Sequence, residues 1–454
     1  MVPVVNFWSG VSDISSADLR LLLAGGRTAD FNRVVVEAGT GQALVDSLSL
    51  NIASLDEMEP AALFSALKPG VLGLVKIEDL VPSVSALNLD GLSLFGYARL
   101  GDLVRWPLLI ADPGGTFDYA TVWTLAGGGD VNLDRSVYQA AITGGRGVDY
   151  PWSGGTSVIS RHICCGDGNN ELVEGTATGS PGAFRAVFGG SDLALVNLEG
   201  PAPNKFTYHR DGFSFSFDPA LLTGLADAGI SAVGLANNHI RNAGETGVLE
   251  TLANLATVGL PGAGAGANLA AADAPVWLTA GGQRIAFLAF DAVQAENWAT
   301  ASRAGAAPLI IGSAIAAIKA AKSAGADLVI VMPHWGTEYS AAISATQKSE
   351  ATAMLAAGAD IILGSHPHWL SGIVLSSGAA GRTAFVAYSL GDLLFDLNRD
   401  ERTQEGAIVN LTFVGPKLLQ AKLIPTLLLH DSQGSILTGA GAAKVLADIE
   451  RASS

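Results

Sequence analysis

The sequence predicts an α/β protein built around layered β-sheets, and two patterns lead to this prediction. Seven apolar runs between residues 122 and 390 have the length of strands, and several lack polar alternation, as expected for strands buried on both faces. Helix-compatible amphipathic stretches separate many of these runs, and they span 219–228, 244–258, 313–324 and 344–357. Such alternation is typical of a sheet with helices packed against it.

The strand-like runs are recognised by their apolar residues and by the Gly, Pro or Asn turns that follow them. In chain order they are VWTLA (122–126), LALVNLE (193–199), ISAVGLA (230–236), RIAFLAF (284–290), DLVIVM (327–332), DIILG (360–364) and TAFVAYSL (383–390).

A domain boundary is predicted at 106–119, WPLLIADPGGTFDY, where prolines and glycines precede the first of these runs. Residues 1–115 then form one domain and residues 120–454 the other. The runs RVVVEAG and VLGLVKI and the helical stretch SSADLRLLLAGG indicate a small α/β fold for the first domain. It contains no histidine or cysteine and no grouping of residues that suggests chemistry.

The composition excludes several classes of protein. Charged residues make up 15% of the 454 residues and hydrophobic residues 49%, which fits neither a disordered chain nor a coiled coil. With 26 basic and 42 acidic residues, the net charge of -16 disfavours general electrostatic binding of nucleic acid, so we predict no nucleic-acid partner. The longest uncharged stretch, 251–272, is interrupted by glycines and a proline, so no transmembrane segment is predicted.

Residues that bind metals or transfer protons follow five of the strand-like runs. They are Asp130, Glu199, Asn238, His239, His334, His366 and His368. Taken singly, each is explained equally well as a turn or capping residue. Because the carboxyl ends of strands in an α/β sheet share one edge, their joint occurrence predicts a single site there. In the tripeptide HPH, an extended backbone would place both histidines on the same face.

A set of Asp, Glu, Asn and neutral His side chains suits divalent first-row ions such as manganese, zinc or iron. Six candidate ligands, leaving His239 aside, exceed one tetrahedral site. They suggest two divalent ions that share a carboxylate.

Six motifs in this order resemble the CapA family of poly-γ-glutamate capsule biosynthesis proteins, a branch of the calcineurin-like metallophosphoesterase superfamily. They are GGDVNLDR, VNLEGP, LANNHIRNAG, PHWGTEY, GSHPH and YSLGDLLF, and the likeness covers about residues 120–451. It implies a four-layer αββα metallophosphoesterase-like sandwich with a two-metal site at the strand ends. The N-terminal stretch VLGLVKIEDLVPSVSALNLDG resembles the truncated solute-binding-protein-like domain that precedes CapA domains in some bacteria.

The resemblance also implies a role for each strand-end residue. The implied ligands are Asp130 and His368 for the first ion, Glu199 as the bridge, and Asn238, His334 and His366 for the second ion. His239, which follows the metal-binding Asn, would act as the catalytic acid or stabilise developing charge.

Three positions depart from the family's pattern. Asn132 stands where the superfamily's DxH motif has its histidine, which removes a ligand from the first ion. Asn242 replaces an acidic residue that usually follows NNH, and Asp392 replaces the Asn of the more common YSLGN. One negative charge is lost near the site and another is gained.

Polar and charged side chains in loops near the predicted site are candidates for binding a substrate carboxylate or phosphate. They are Arg135, Lys205, His209, Arg210 and Arg241. Asp392, near the site, is a further candidate for contacting the substrate, without a role in binding its anionic group. A position on the solvated surface, with no role in binding, explains the presence of each of these basic side chains equally well. The substrate expected for such a site is polyanionic or a peptide.

Three functions stay open at this stage. The first is a dinuclear metal-dependent hydrolase that acts on peptide or polyglutamate-type substrates in capsule or envelope polymer metabolism, with His239 assisting the leaving group. The second is a metal-dependent peptide epimerase, and the third is a non-catalytic polyanion-binding or export component of a capsule machine.

The resemblance implies an extracytoplasmic or membrane-associated location in a bacterium, with other capsule-synthesis proteins as partners. The first residues, MVPVVNFWSG, show no signal-peptide pattern, so a cytoplasmic location also stays open.

Overall fold

The structure is a computed structural model that describes residues 1–52, 54–110, 115, 117–165, 170–378 and 381–454. These residues fall into two compact units, Met1–Thr124 with Leu411–Lys422 and Leu125–Asn410 with Leu423–Ser454. Part of the predicted boundary at 106–119 lies outside the described residues, and the division into 1–115 and 120–454 stays a prediction.

The first unit contains a five-stranded sheet with short helices. Its elements are β1 (Val2–Asn6), β2 (Asp13–Ile14), α1 (Ser16–Leu23), β3 (Arg33–Glu37), α2 (Gly41–Ser47), β4 (Glu57–Met58), α3 (Pro60–Ala66), β5 (Val71–Val75), β6 (Val84–Ala86) and β7 (Asn88–Leu89). The sheet has the order β4-β3-β5-β1-β6, and β3 runs parallel to β4 and β5. The predicted runs at 33–39 and 71–77 are therefore adjacent strands. Helix α1 begins after Ser15, whose side chain accepts a hydrogen bond from the Asp18 N–H.

Eighteen further strands are described along the rest of the chain. They are β8 (Val122–Val131), β9 (Thr156–Cys165), β10 (Asn170–Ala177), β11 (Leu193–Leu198), β12 (Ala232–Gly234), β13 (Gly262–Ala263), β14 (Ala265–Gly266), β15 (Val276–Ala280), β16 (Gln283–Asp291), β17 (Gly305–Ala306), β18 (Leu328–His334), β19 (Ile361–Leu363), β20 (Ile373–Ser377), β21 (Thr383–Ala387), β22 (Asp392–Leu394), β23 (Glu405–Val414), β24 (Lys417–Leu429) and β25 (Gln433–Leu437).

The α-helices described in the same part of the chain lie between or after these strands. They are α4 (Arg135–Tyr138), α5 (Ala183–Gly189), α6 (Leu222–Asp227), α7 (Gly244–Thr257), α8 (Leu269–Ala272), α9 (Ile311–Ser323), α10 (Ala345–Ala357) and α11 (Gly439–Ser453). The predicted helix at 219–228 begins as a 3-10 turn, Pro219–Leu221, before α6. The other three predicted helices correspond to α7, α9 and α10.

Two large sheets organise the second unit. One has ten strands, in the order β10-β9-β25-β24-β23-β8-β11-β12-β13 with β22 also paired to β8, and the other has six, in the order β15-β16-β18-β19-β21-β20. Strands β8, β11, β12 and β13 are parallel, as are β16, β18, β19 and β21. Antiparallel strands β15 and β20 lie at the two edges of the smaller sheet.

The two sheets pack face to face through positions occupied by glycine. A Cβ atom at Gly234 on β12 would lie 2.5 Å from the Met332 sulfur on β18. A Cβ atom at Gly127 on β8 would lie 2.9 Å from Leu363 Cδ1 on β19. Side chains at these glycines would push the sheets apart, because interiors are packed without spare volume.

Helices cover the outer faces of both sheets. Ile318 of α9 and Met354 of α10 share a hydrophobic core with Val329 and Val331 of β18. Helix α5 packs against β11 and β25 of the larger sheet and buries Phe184. The layers are thus helix, sheet, sheet and helix, which confirms the predicted αββα architecture. Throughout the described ranges, no helix combines the length and the apolar character that a membrane span requires.

Candidate metal centre

The predicted site residues lie at the ends of strands from both large sheets. Asp130 lies near the end of β8, where it pairs in register with Asn197 of β11. Glu199 follows β11, and His334 is the last residue of β18. The loops after β12 and β19 carry the other members of the set, Asn238, His239, His366 and His368.

Glu199 occupies the centre of this group. It is fully buried, and neither carboxylate oxygen has a hydrogen-bond partner among the described residues. Its Oε1 atom lies 3.7, 3.8 and 3.9 Å from the Nε2 atoms of three histidines, which are His239, His334 and His368. These distances are too long for hydrogen bonds. They lie within the roughly 4.2 Å that two metal–ligand bonds of about 2.1 Å can span, so at His334 and His368 they fit a cation shared with Glu199.

Asp130 supplies a second buried carboxylate. Asn197 Nδ2 donates to its Oδ1 at 2.7 Å, and the backbone N–H of His366 donates to its Oδ2 at 3.0 Å. Burial raises the pKa of Asp130 to about 6, against a lowering effect of His368. Burial and then the nearby Asp130 raise the pKa of Glu199 well above its usual value. A cation between these groups would compensate for their burial.

The histidines of the site are poised to act as neutral ligands. Burial lowers the pKa of His366 to about 3 and that of His334 well below its usual value. His366 Nδ1 is buried and has no hydrogen-bond partner in the described part of the chain. His334 Nε2 lies 2.9 Å from Asn238 Oδ1, so this amide oxygen belongs to the same cluster. A neutral imidazole keeps the lone pair that a metal requires.

The HPH segment differs from the predicted extended backbone. His366 and His368 have φ values of 95° and 59°, in the left-handed region that residues other than glycine rarely adopt. Their rings nevertheless lie near each other, with centroids 6.1 Å apart. The backbone turns at both residues, so strand alternation does not account for this proximity. Such conformations concentrate at functional sites, where the surroundings hold them.

Asn242 orients His239. Its Oδ1 atom lies 3.0 Å from His239 Nδ1 and accepts a second hydrogen bond from the Phe215 N–H at 2.9 Å. Since an amide oxygen only accepts, this contact favours a proton on Nδ1 and leaves the Nε2 lone pair directed towards the site. Burial lowers the pKa of His239 to about 4. Asn242 therefore supplies an orienting contact without the charge of the acidic residue that it replaces.

Asn132, at the position of the DxH histidine, does not join the cluster of ligand atoms. Its Oδ1 accepts a hydrogen bond from the Asp134 N–H at 2.9 Å, as in a local turn. Its Nδ2 is buried without a partner among the described residues.

A cleft of about 530 Å³ opens onto the site. His239, His368 and Glu338 line it, together with Phe213, which is 87% exposed. The other aromatic and cationic side chains that line it are Phe215, Tyr339, Phe395, Arg135 and Arg210. The cleft thus offers apolar faces and two arginines to a ligand.

Two of the predicted substrate-binding residues, Arg135 and Arg210, line this cleft. Arg135 is held in place, since it donates to the Gly212 carbonyl oxygen, lies 3.6 Å from Asp396 and packs over the Phe215 ring. Arg210 is exposed at the cleft wall.

The other predicted substrate-binding residues do not line the cleft. Lys205 is exposed, and His209 Nδ1 lies 2.7 Å from the buried Asp134. Arg241 donates to the Glu296 carbonyl oxygen and pairs with Glu245. Asp392 is buried, with Oδ1 2.8 Å from His368 Nδ1.

Three groups of side chains have ligand atoms within 4.8 Å of one another and could hold a metal ion. The groups are Asp130, Glu199 and His334; Asp130, His368 and Asp392; and Glu338, His366 and His368. Asp130 belongs to two of the groups and so does His368, so neighbouring groups share a side chain, as adjoining ions would require.

Glu338 was missed by the sequence reasoning, although its motif, PHWGTEY, was identified. It follows β18 by four residues and is the exposed carboxylate of the three groups. Asn197, which donates to Asp130, was also missed. The sequence feature that could have identified Asn197 is its position as a polar residue within the otherwise apolar run LALVNLE.

Comparison with known proteins gives a family match over most of the second unit. The model of the family described as bacterial capsule synthesis protein PGA_cap matches residues 124–397. The capsule biosynthesis protein CapA of Bacillus anthracis is 34% identical over 227 residues, which are 48% of this chain and 54% of that protein. The PGA biosynthesis protein CapA of Bacillus subtilis is 32% identical over 227 residues, 49% of this chain and 58% of that protein. The chain spans about half the length of these curated relatives.

More distant similarities are found among solved structures. The NAD nucleotidase of Haemophilus influenzae has a TM-score of 0.40 and 16% identity, covering 73% of this chain and 63% of that one. The calcineurin-like phosphoesterase YfkN of Bacillus subtilis has a TM-score of 0.33 and 13% identity, covering 57% and 83%. These likenesses are too distant to assign an activity.

Proposed function

The chain belongs to the PGA_cap family of bacterial capsule synthesis proteins, and from this premise we propose that it is a dinuclear metal-dependent hydrolase. Its substrate would be a peptide or polyglutamate-type chain in the synthesis or processing of a capsule polymer. The observation that supports this proposal is the buried Glu199 carboxylate, which faces three histidine Nε2 atoms at 3.7–3.9 Å and makes no hydrogen bond within the described ranges.

The proposed cofactors are two divalent ions, either manganese, zinc or iron, which the mixed oxygen and nitrogen ligands suit. Asp130 and His368 would hold one ion and Glu199 would bridge to the other. Asn238, His334 and His366 would complete the second site. Divalent ions held there would polarise a carbonyl or phosphoryl oxygen of the substrate.

The remaining steps are assigned to this chain's own side chains. His239, oriented by Asn242, presents Nε2 to the cleft and exchanges a proton with the attacking or leaving group. Arg135 and Arg210 bind an anionic group of the substrate through charge-assisted hydrogen bonds. Phe213 and Tyr339 pack against apolar parts of the substrate. This division of roles explains why cationic, aromatic and acid/base groups meet in one cleft.

A non-catalytic role in polyanion binding or export is the second candidate. It is favoured by Asn132, which uses its oxygen in a local turn and leaves the first ion with fewer ligands. In either role, we propose an envelope-associated location and other capsule-synthesis proteins as partners, since the Bacillus relatives bear capsule names. Residues 1–115 are proposed to form a separate domain.

Metal analysis tests the proposal directly. Protein stripped with a chelator and reloaded with manganese or zinc should retain about two ions per chain after desalting, because two adjoining groups of ligand atoms share Asp130. Inductively coupled plasma mass spectrometry measures this ratio. A value below one ion per chain after reloading would remove the dinuclear mechanism.

Metal binding should weaken as the pH falls from 7 towards 5. Burial raises the pKa of Asp130 to about 6 and that of Glu199 well above its usual value, so below these values bound protons compete with the ion. Protons on His366 and His334 do not compete in this range, because burial lowers the pKa of His366 to about 3 and that of His334 well below its usual value.

Calorimetric titrations at several pH values, each in two buffers of different ionisation enthalpy, measure both the affinity and the protons released. We expect proton release near pH 6 and less at pH 8. Affinity that stays constant down to pH 5 would contradict the assignment of Asp130 and Glu199 as ligands.

A further inference from the structure

Asp392 lies beside the proposed metal centre without reaching the cleft, and we propose that it is the positioning residue of His368. By accepting a hydrogen bond from the Nδ1–H of His368, it makes Nε2 the metal-binding nitrogen of that ring. The inference rests on the proposed function in one respect, the presence of an ion at His368.

The backbone places Asp392 next to Asp130. Strand β22 begins at Asp392 and runs parallel to β8, and the two aspartates are partners in this pairing. Asp392 is 4% exposed and does not line the cleft, so a substrate in the cleft would not touch it. Its carboxylate therefore faces protein groups and the proposed metal centre, and not the substrate.

The contact with His368 is directional. Asp392 Oδ1 lies 2.8 Å from His368 Nδ1, whereas Asp130 Oδ2 lies 3.8 Å from the same nitrogen, beyond hydrogen-bond range. An ionised Asp392 carboxylate can only accept, so it would hold the proton on Nδ1 and leave Nε2 its lone pair. That Nε2 lies 3.9 Å from Glu199 Oε1, on the side where the other histidines converge.

Aromatic neighbours restrict the ring further. Tyr339 stacks on His368 with centroids 5.8 Å apart, and Phe395 meets it edge-on at 5.0 Å. These contacts limit the tilt of the ring, but they do not choose between its two nitrogens. The hydrogen bond to Asp392 makes that choice, as carboxylate partners of metal-binding histidines do in general.

The charge of Asp392 also favours a cation in this position. Its Oδ2 is buried and has no hydrogen-bond partner in the described part of the chain, as is the case for both oxygens of Glu199. The ion pairs of Asp130, Glu199 and Asp392 among the described residues are all with histidines. A buried carboxylate without a lysine or arginine partner is costly unless a cation is nearby.

Calorimetric titration of chelator-stripped protein with zinc and manganese tests the proposal. Asp392→Ala should lower the affinity for one ion by about 10- to 100-fold, the effect expected when the partner of a metal-binding histidine is removed. Asp392→Asn should lower it less, because its amide oxygen can still accept from Nδ1. Asp291→Asn is the matched control, since Asp291 is a buried strand-end carboxylate outside the three ligand groups, and it should bind both ions normally.

A second readout does not depend on affinity. Long-range ¹H–¹⁵N spectra of the zinc-loaded protein should show His368 protonated at Nδ1, with its signals assigned by their loss in His368→Gln. If both Asp392 variants bind the ions with wild-type affinity, or if the His368 ring has no proton on Nδ1, the positioning role of Asp392 is wrong. The proposed function is not affected by either result. If the wild-type protein itself binds no divalent ion, the proposed function fails as well, so the two failures are distinguishable.

Discussion

Glu199→Gln should lower the affinity for divalent ions by more than about 100-fold, the upper range seen when only an outer partner of a ligand is removed. Glu199 is fully buried, its oxygens make no hydrogen bond in the described part of the chain, and one of them faces three histidine nitrogens. Glutamine keeps the size of the side chain and removes the charge that a bridging ligand supplies. The loss is measured by calorimetry and by counting retained ions.

The same variant should separate metal binding from folding. Without metal, Glu199→Gln should unfold at the same or a higher temperature than the wild type, because it removes one of several mutually repelling buried carboxylates. With metal at about 100 times its dissociation constant, the wild type should gain about 2.7 kcal/mol and the variant should gain little. Thermal melts with chelator and with manganese compare the two.

Glu405→Gln provides the matched control. Glu405 is also buried, and burial raises its pKa to about 8, but it pairs with Lys444 and is not in any of the three groups of ligand atoms. Its variant should keep two ions and the full stabilisation by metal. If Glu199→Gln retained normal metal binding, or lost stability equally with and without metal, Glu199 would be a structural residue and not a ligand.

The central strands were predictable because of where they lie. Strands such as β11 and β18 are buried on both faces, so their sequences are nearly continuous apolar runs. Helix α10 was predictable to within one residue, since Ser344 and Gln347 form a capping box at its start. The seven apolar runs predicted between residues 122 and 390 are all parallel strands. The four helical stretches predicted in the same region are helices that lie between them.

Several strands, among them β15, β20 and β22, were not predicted. Strand β20, IVLSS, is partly exposed, and β15 alternates between half-buried and exposed residues, so neither forms a strong apolar run. Strand β22 has three residues, and its place beside β8 depends on long-range pairing. Local patterns carry little information on such strands, because their pairing partners are distant in the chain.

The convergence of the predicted site residues at the strand ends was predictable, but their detailed arrangement was not. Strand-end positions identified Glu199 and His334, since the carboxyl ends of parallel strands share one edge. The left-handed backbone at His366 depends on the packing of its loop, which a single sequence does not reveal. Asp392 was expected near the site as a substrate-binding residue, and its hydrogen bond to His368 became visible only when β22 was placed beside β8.

His239→Ala should lower turnover by about 10²- to 10⁴-fold, the usual contribution of a positioned proton-transfer group, while both ions stay bound. His239 lines the cleft, and its Nε2 lies 3.7 Å from Glu199 Oε1 with Nδ1 held by Asn242. Turnover is measured as cleavage of γ-glutamyl oligomers and of a nitrophenyl phosphodiester, and metal content is measured on the same samples. His162→Ala, at an exposed histidine outside the cleft, is the control and should be unaffected.

Comparing His239→Ala with Glu199→Gln distinguishes the remaining functions. A hydrolase requires that both variants fail to support polymer formation in a capsule-forming bacterium whose own family member is deleted. If His239→Ala supports normal polymer while Glu199→Gln does not, the metals serve binding or export and the hydrolase proposal is wrong. If purified protein incorporates solvent deuterium at Cα without cleaving the oligomer, the ions stabilise an enolate instead. Catalysis needs proton transfer at the His239 position, whereas polyanion binding needs only the charge of the ions, so the two variants separate chemistry from affinity.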